Sequence, residues 1–294
     1  MQVHLVDGTY EVFRQFHAKR PGHRDPSGME VGAARAVTAS MLTMLEQGAT
    51  HVGVATDHVI ESFRNDLWDT YKTSAGMPPD LLAQFPVLDD ALASLGVAVW
   101  PMVELEADDA LATAAHIAAG DPRVDMAIIC TPDKDLGQCV GERVVQLDRR
   151  NDKLLDAAAV EAKFGVPPDA IPDWLALVGD SADGFPGLPG FGAKTAAAVL
   201  QRYGHIEAIP DDANSWDVAS VRNPARLAAT LAAGRRVADL FKVLATLRTD
   251  ADVGTVDDWE WRGPREDFPA WAERFGSPGL VERAARLAQV RTTR

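Results

Sequence analysis

The chain has 294 residues, 47% of them hydrophobic, and a formal net charge of −14 at neutral pH. That length holds one large domain or two modest ones with a packed core. No run approaches the ~20 apolar residues that cross a bilayer, which excludes a membrane-spanning helix. The first residues, Met1 to Asp7, read as a buried strand, so no signal peptide is expected. Cys130 and Cys139 lie in apolar surroundings and the seven histidines form no cluster. A reduced, cytoplasmic protein without zinc follows from that usage.

In chain order, strand-like apolar runs at residues 3–6, 51–56, 97–101, 126–130 and 143–147 alternate with helical patterns at 31–46, 81–94 and 108–119 and a short one after Asp135. Such alternation predicts an α/β fold with a mainly parallel sheet covered by helices on both faces. From about Asp156 the pattern is helical, over 157–163, 171–178, 193–203, 225–233 and 238–247. A connector rich in Trp, Pro and Gly, residues 253–269, precedes a last helix over 280–290. Two domains are expected, 1–155 and 156–294.

The acidic residues are unevenly placed. Nine fall in five short clusters: Asp7; Asp57; Glu106, Asp108 and Asp109; Asp133 and Asp135; Asp180 and Asp183. Asp7 and Asp57 each follow a predicted strand, where ligands of open α/β sheets bind. A single aspartate there also suits a turn or a helix cap. Three acids in the four residues from Glu106 to Asp109 exceed what capping needs, because dipole stabilisation adds only ~0.3–1 kcal/mol per acid. Oxygen ligands gathered in this way suit hard divalent ions such as Mg²⁺ or Mn²⁺. Asp133 and Asp135 flank Lys134, a cation able to trim the local field or contact a phosphate.

After Asp183 comes Gly187-Leu188-Pro189-Gly190-Phe191-Gly192-Ala193-Lys194-Thr195. Its glycines permit tight turns, and the following helix start offers N–H groups and a positive dipole end to a phosphate. Lys194 adds a charge-assisted contact, so the segment suits a DNA backbone bound without sequence readout. Between Arg222 and Arg248, six cations (Arg222, Arg226, Arg235, Arg236, Lys242, Arg248) face Asp239 alone. That stretch is either a solvated helix face or a nucleic-acid footprint.

Taken in order, Leu5-Val6-Asp7-Gly8, Ser62-Phe63-Arg64 with Tyr71-Lys72, Glu106-Ala107-Asp108-Asp109, Thr131-Pro132-Asp133-Lys134-Asp135 and the run from Gly179 to Ala196 closely resemble the bacterial 5′→3′ exonuclease/flap endonuclease family. This family includes the 5′-nuclease domain of DNA polymerase I, and the resemblance extends from Met1 to about Leu247. It implies a PIN-like α/β nuclease core with a helical arch near residues 70–95. It also implies a helix-hairpin-helix variant, the helix-three-turn-helix, near residues 171–203. Carried over by position, Asp7, Asp57, Glu106 and Asp108 resemble ligands of a first metal and Asp133, Asp135, Asp180 and Asp183 those of a second, with Asp109 near both. Arg64 and Lys72 match positions that contact the scissile phosphate. Gly187, Gly190, Gly192, Lys194 and Thr195 match the DNA-binding hairpin, where the family also holds K⁺. The implied function is a Mg²⁺- or Mn²⁺-dependent, structure-selective 5′ nuclease acting in replication and repair on flapped, nicked or gapped DNA or RNA primers. No membrane partner is implied, and no polymerase domain is expected in this chain.

Three departures bear on that reading. Residues 73–96 contain no Lys or Arg, although the family's arch carries basic side chains. The usual Ser-Asp-Asn triplet reads Ala182-Asp183-Gly184, and an aromatic near the start of the helix after Gly32 is replaced by Arg35. A PIN-type ribonuclease, a non-catalytic DNA-junction-binding protein and a hydrolase of small phosphate esters are the competing functions.

Overall fold

The computed structural model describes residues 1–18 and 22–293. Its elements run β1 (Gln2–Asp7), α1 (Gly8–Phe16), α2 (Gly32–Glu46), β2 (His51–Asp57), α3 (Pro79–Leu82), α4 (Gln84–Leu95), β3 (Ala98–Met102), α5 (Ala107–Gly120) and β4 (Met126–Cys130). They continue with β5 (Val144–Asp148), β6 (Lys153–Leu155), α6 (Ala157–Phe164), α7 (Ile171–Val178), α8 (Ala193–Tyr203), α9 (Pro224–Ala245), α10 (Phe268–Arg274) and α11 (Gly279–Thr292). None of the helices among the described residues is long and apolar enough to cross a membrane. Both cysteines are free thiols, Cys130 buried and Cys139 half-buried.

Two compact units emerge, and they divide the chain differently from a single cut at 155/156. One comprises residues 1–60, 74–131 and 249–294; the other comprises 61–73 and 132–248.

In the first unit the strands follow the order β3-β2-β1-β4, with β1–β2, β1–β4 and β2–β3 all parallel. Val3, Leu5 and Val6 of β1 and Val52 and Val54 of β2 are fully buried, as the continuous apolar runs require. The C-terminal residues join this unit by burying two of their tryptophans in it. Trp259 is 1% exposed and packs edge-on to Trp100 of β3, while Trp261 is 3% exposed and donates its indole N–H to the Leu95 carbonyl. Burying such a ring contributes on the order of 5 kcal/mol before entropy. Arg291 of α11 lies over Trp261 and donates to the carbonyls of Leu45 and Ala49 at the end of α2.

Helix α10 secures the loop before α2. Arg274 pairs with the buried Asp25 carboxylate at 2.8 Å, and Asp25 also accepts from the Ser27 hydroxyl at 2.5 Å. The hydrogen bonds from Ser27 and Arg274, working against burial, hold the Asp25 pKa at about 2. Because this pKa lies below the ordinary 3.8, the stabilisation is present above that value and is lost as pH falls through about 2. The thermal midpoint of the wild type should therefore fall more steeply between those two values than that of Asp25→Asn. Parallel melting curves for the two proteins across that window would show that Asp25 contributes nothing to acid stability.

In the second unit, β5 and β6 form an antiparallel hairpin. Helices α6–α9 enclose a core that includes Trp174, Leu175, Phe185, Leu188, Phe191, Leu200 and Phe241. Asp173 of α7 is the polar node of this core. Its carboxylate accepts from the Ile206 N–H, lies 2.9 Å from His205 Nδ1, and pairs with Lys242 of α9 at 2.9 Å.

Several elements differ from expectation. The predicted helices 225–233 and 238–247 are one helix, α9, which runs through Gly234. That glycine is tolerated in the helix interior because a Cβ there would come within 3.0 Å of Leu188 Cδ2. Helix α1 is absent from the predicted pattern, strand β6 is too short to signal itself, and α10 starts at the end of the tryptophan-rich connector and fills the gap before the predicted last helix. Helix α4 covers the sheet of the first unit and buries Phe85, Leu88, Ala91, Leu92 and Leu95. Of the region near 70–95, the outer part carries only the single-turn α3.

Candidate metal centre

In the first unit the expected ligands lie at strand ends and at one helix start. Asp7 ends β1 and is 5% exposed; its Oδ1 caps α1 by accepting from the Tyr10 N–H at 2.8 Å, and its Oδ2 accepts from the Thr131 hydroxyl at 2.8 Å. Asp57 ends the neighbouring strand β2, where its Oδ1 accepts from the Ala107 N–H at 2.7 Å. That bond ties the end of β2 to the first turn of α5. Glu106 is the N-cap of this helix, and its own N–H donates to Asp109 Oδ2 at 3.0 Å. Asp109 is fully buried and serves the helix start, whereas Asp108 is half-buried. Capping and metal binding are thus not exclusive readings here. The carboxylates of Asp7 and Asp57 are each oriented by a backbone N–H, from Tyr10 and Ala107.

The second unit gathers Asp135, Asp180 and Asp183, with one carboxylate oxygen of each within 4.8 Å of the others. Asp135 is 5% exposed at the start of a short 3₁₀ turn, and its Oδ1 is buried without a hydrogen-bond donor. The nearest cation to that oxygen is Lys134 Nζ, 3.8 Å away. Burial first, then repulsion from Asp133 and Asp183, pushes the Asp135 carboxyl well above the usual carboxylate range. Burial opposes the Lys134 ammonium, yet Asp135 and a hydrogen bond to Asp180 hold its pKa up at about 12. An orphaned, buried carboxylate oxygen among two further carboxylates is the donor set that a hard divalent cation completes.

Asp133, expected beside Asp135 in the ligand set, stands outside this triad. It is exposed, and its Oδ1 accepts from the Asp135 N–H at 3.0 Å. The Lys134-Asp135 turn directs the second acid inward and leaves the first at the surface.

Lys72 lies 3.9 Å from Asp183, and its backbone N–H donates to the Asp183 carbonyl. Arg64, expected at the scissile phosphate, is engaged with backbone carbonyls in this structure. It is 1% exposed, and it donates to the carbonyls of Leu244 at 2.8 Å and Thr246 at 3.2 Å, securing the end of α9. In this conformation it is a structural cation.

The glycine-rich hairpin joins α7 to α8. Gly187 has φ +68, and a Cβ there would lie 2.4 Å from the Gly179 nitrogen and 2.5 Å from the Leu177 carbonyl oxygen. Pro189, Gly190, Gly192 and Lys194 form the exposed rim, Thr195 is half-buried, and Phe191 anchors the loop in the core. Gly184 explains the altered triplet. Its φ is +82, and a Cβ would fall 1.9 Å from the Thr70 carbonyl oxygen. The Gly184 carbonyl in turn accepts from the Trp68 indole and the Thr70 hydroxyl. Sequence reading missed the Trp68 and Thr70 contacts because they join residues more than a hundred positions apart. The basic stretch is partly internal, since Arg235 is spent on Asp211 and the carbonyls of Ile206 and Ile209, and Lys242 on Asp173 and Glu207. Arg222, Arg226 and Arg236 remain exposed.

Two family models together match residues 2–267. The N-terminal resolvase-like domain of 5′-3′ exonucleases matches residues 2–165, and the C-terminal SAM fold of 5′-3′ exonucleases matches residues 166–267. The chain belongs to the 5′-3′ exonuclease family. The family's mixed α/β core and helical C-terminal domain are the architecture described above. Among curated relatives, a 5′-3′ exonuclease of Aquifex aeolicus is 32% identical over 70% of this chain and 71% of its own length. A DNA polymerase I of Rhizobium leguminosarum is 32% identical over 89% of this chain but only 26% of its own length. The chain therefore spans about a quarter of that polymerase. Solved structures of this fold include the T5 D15 protein co-crystallised with metal ions, at TM-score 0.66 and 16% identity, with 99% of each chain covered. The catalytic core of Rad2 in complex with a DNA substrate aligns at TM-score 0.61 and 16% identity, covering 97% of this chain and 90% of that one. The 5′-3′ exonuclease models end at residue 267, so α10 and α11 lie beyond them.

Proposed function

We propose that this 5′-3′ exonuclease family member is a divalent-metal-dependent, structure-selective 5′ nuclease that hydrolyses DNA phosphodiesters at 5′ flaps, nicks or primer ends. One observation carries the reading: the buried, undonated oxygen of Asp135 beside the carboxylates of Asp180 and Asp183. Asp135, Asp180 and Asp183 would hold one Mg²⁺ or Mn²⁺, with Asp133 adding negative potential from the surface. Asp7, Asp57, Glu106 and Asp108 would hold another. Such ions activate water and stabilise a leaving oxygen. The remaining tasks belong to the chain. Lys72, beside Asp183, offers a cation to the phosphate as charge develops. Gly190, Gly192, Lys194 and Thr195 present the exposed start of α8 to a DNA backbone, a rim that also suits K⁺. Arg64 supports this arrangement by holding the end of α9.

The test uses labelled 5′-flap, nicked and single-stranded DNA, and a matching RNA strand, with Mg²⁺, Mn²⁺ or EDTA. Short 5′ products from flap or nick, dependent on metal and absent in EDTA, are the expected result. Binding of the flap without cleavage under every metal condition would instead identify a junction-binding protein. Preferential cutting of the RNA strand would identify a ribonuclease.

A further inference from the structure

One buried carboxylate holds both residues that flank Asp57. Thr56 Oγ1 donates to Asp89 Oδ1 at 2.6 Å, and His58 Nδ1 lies 2.8 Å from Asp89 Oδ2. Asp89 projects from α4, is 8% exposed, and stands among the apolar side chains with which that helix covers the sheet. A carboxylate at such a depth costs several kcal/mol unless partnered. Neither oxygen serves the capping of α4, which ends instead at Gly96 in the left-handed region. Alternation along an extended chain turns Thr56 and His58 to one side and Asp57 to the other. Asp57 is the last residue of β2, and beyond it one further bond, from the Val59 N–H to the Met102 carbonyl at 3.1 Å, ties the chain to β3. On its own side Asp57 is fastened by its N–H to Thr9 Oγ1 and by its Oδ1 to the Ala107 N–H. The grip of Asp89 completes the restraint from behind.

We propose that Asp89 is a positioning residue for the metal-ligating carboxylate of Asp57, acting through Thr56 and His58. The proposal rests on the reading of Asp57 as a metal ligand. Ligand oxygens must sit within ~0.2 Å of their ideal metal distances, and the grip of Asp89 on both neighbours of Asp57 narrows the positions its carboxylate can take.

Mn²⁺ binding to the full chain without DNA, followed by calorimetry, separates this role from a structural one. For Asp89→Ala, one class of Mn²⁺ site is expected to weaken by roughly 10-fold, as for other residues that orient ligands. The Mg²⁺ concentration for half-maximal flap cleavage should rise in parallel, with turnover at saturating Mg²⁺ nearly restored. Asp89→Asn, which keeps an acceptor for Thr56, should lose less. His58→Ala, at an exposed position, should weaken binding in the wild-type background and add nothing to Asp89→Ala. A lower melting temperature with unchanged Mn²⁺ affinity in Asp89→Asn and His58→Ala would overturn the proposal. Asp57→Asn is the control: if it too leaves Mn²⁺ binding unchanged, the ligand reading of Asp57 fails and the proposal fails with it. Loss of binding in Asp57→Asn with none in the Asp89 variants refutes the positioning role alone.

Discussion

Replacing Asp135 with alanine should slow flap cleavage by about 10³-fold or more at saturating Mg²⁺, because a metal ligand supplies several kcal/mol of transition-state stabilisation. Flap binding should be largely retained, since the hairpin rim carries the backbone contacts. Single-turnover cleavage and fluorescence anisotropy on the same labelled flap measure the two quantities separately. Asp133→Ala should cost clearly less, because that carboxylate is exposed and outside the triad. The metal-free Asp135→Asn protein should also melt above the wild type. Burial and the charges of Asp133 and Asp183 oppose ionisation of Asp135, and the amide removes that repulsion. Turnover within tenfold of wild type for Asp135→Ala would remove this residue from the metal site.

Substituting Gly184 by alanine is expected to destabilise the protein by about 3 kcal/mol or more, since left-handed backbone costs 1–3 kcal/mol and the clash adds to it. The Thr70 carbonyl oxygen lies 1.9 Å from where the Cβ would be, and it belongs to backbone that cannot yield as a side chain does. Relieving the overlap would displace Asp183, whose carbonyl accepts from the Lys72 N–H. Cleavage should therefore fall along with stability, and raising Mg²⁺ should recover part of it. Urea unfolding with and without Mg²⁺ checks both effects. An unchanged midpoint would mean that the loop from Trp68 to Lys72 moves freely past Gly184.

The parallel strands were readable because buried runs such as Val52 to Thr56 are continuous and rich in β-branched residues, and the first two stop at an acid, Asp7 and Asp57. Helices α7 and α8 were equally plain, with Pro and Gly marking their ends. Helix α1 was missed because its start at Asp7-Gly8 reads as readily as a turn. The break predicted inside α9 reflects the intrinsic cost of Gly234, which close packing against Leu188 overrides. The apolar spacing of Phe85, Leu88, Leu92 and Leu95 made the buried face of α4 legible.

For the site, the sequence by itself determined which acids exist, their order, and their place after strands or before helices, because these are properties of local spacing. It could not rank Asp133 against Asp135, since the two differ only in which way one turn directs them. Nor could it show Arg64 spent on carbonyls of α9, Asp89 gripping the neighbours of Asp57, or Gly184 wedged against Thr70. Those are contacts between residues distant along the chain, and burial and hydrogen bonding assign them only once the backbone has folded. Tertiary structure alone decided which carboxylates are buried without a donor, and it is this deficit that suits a cation.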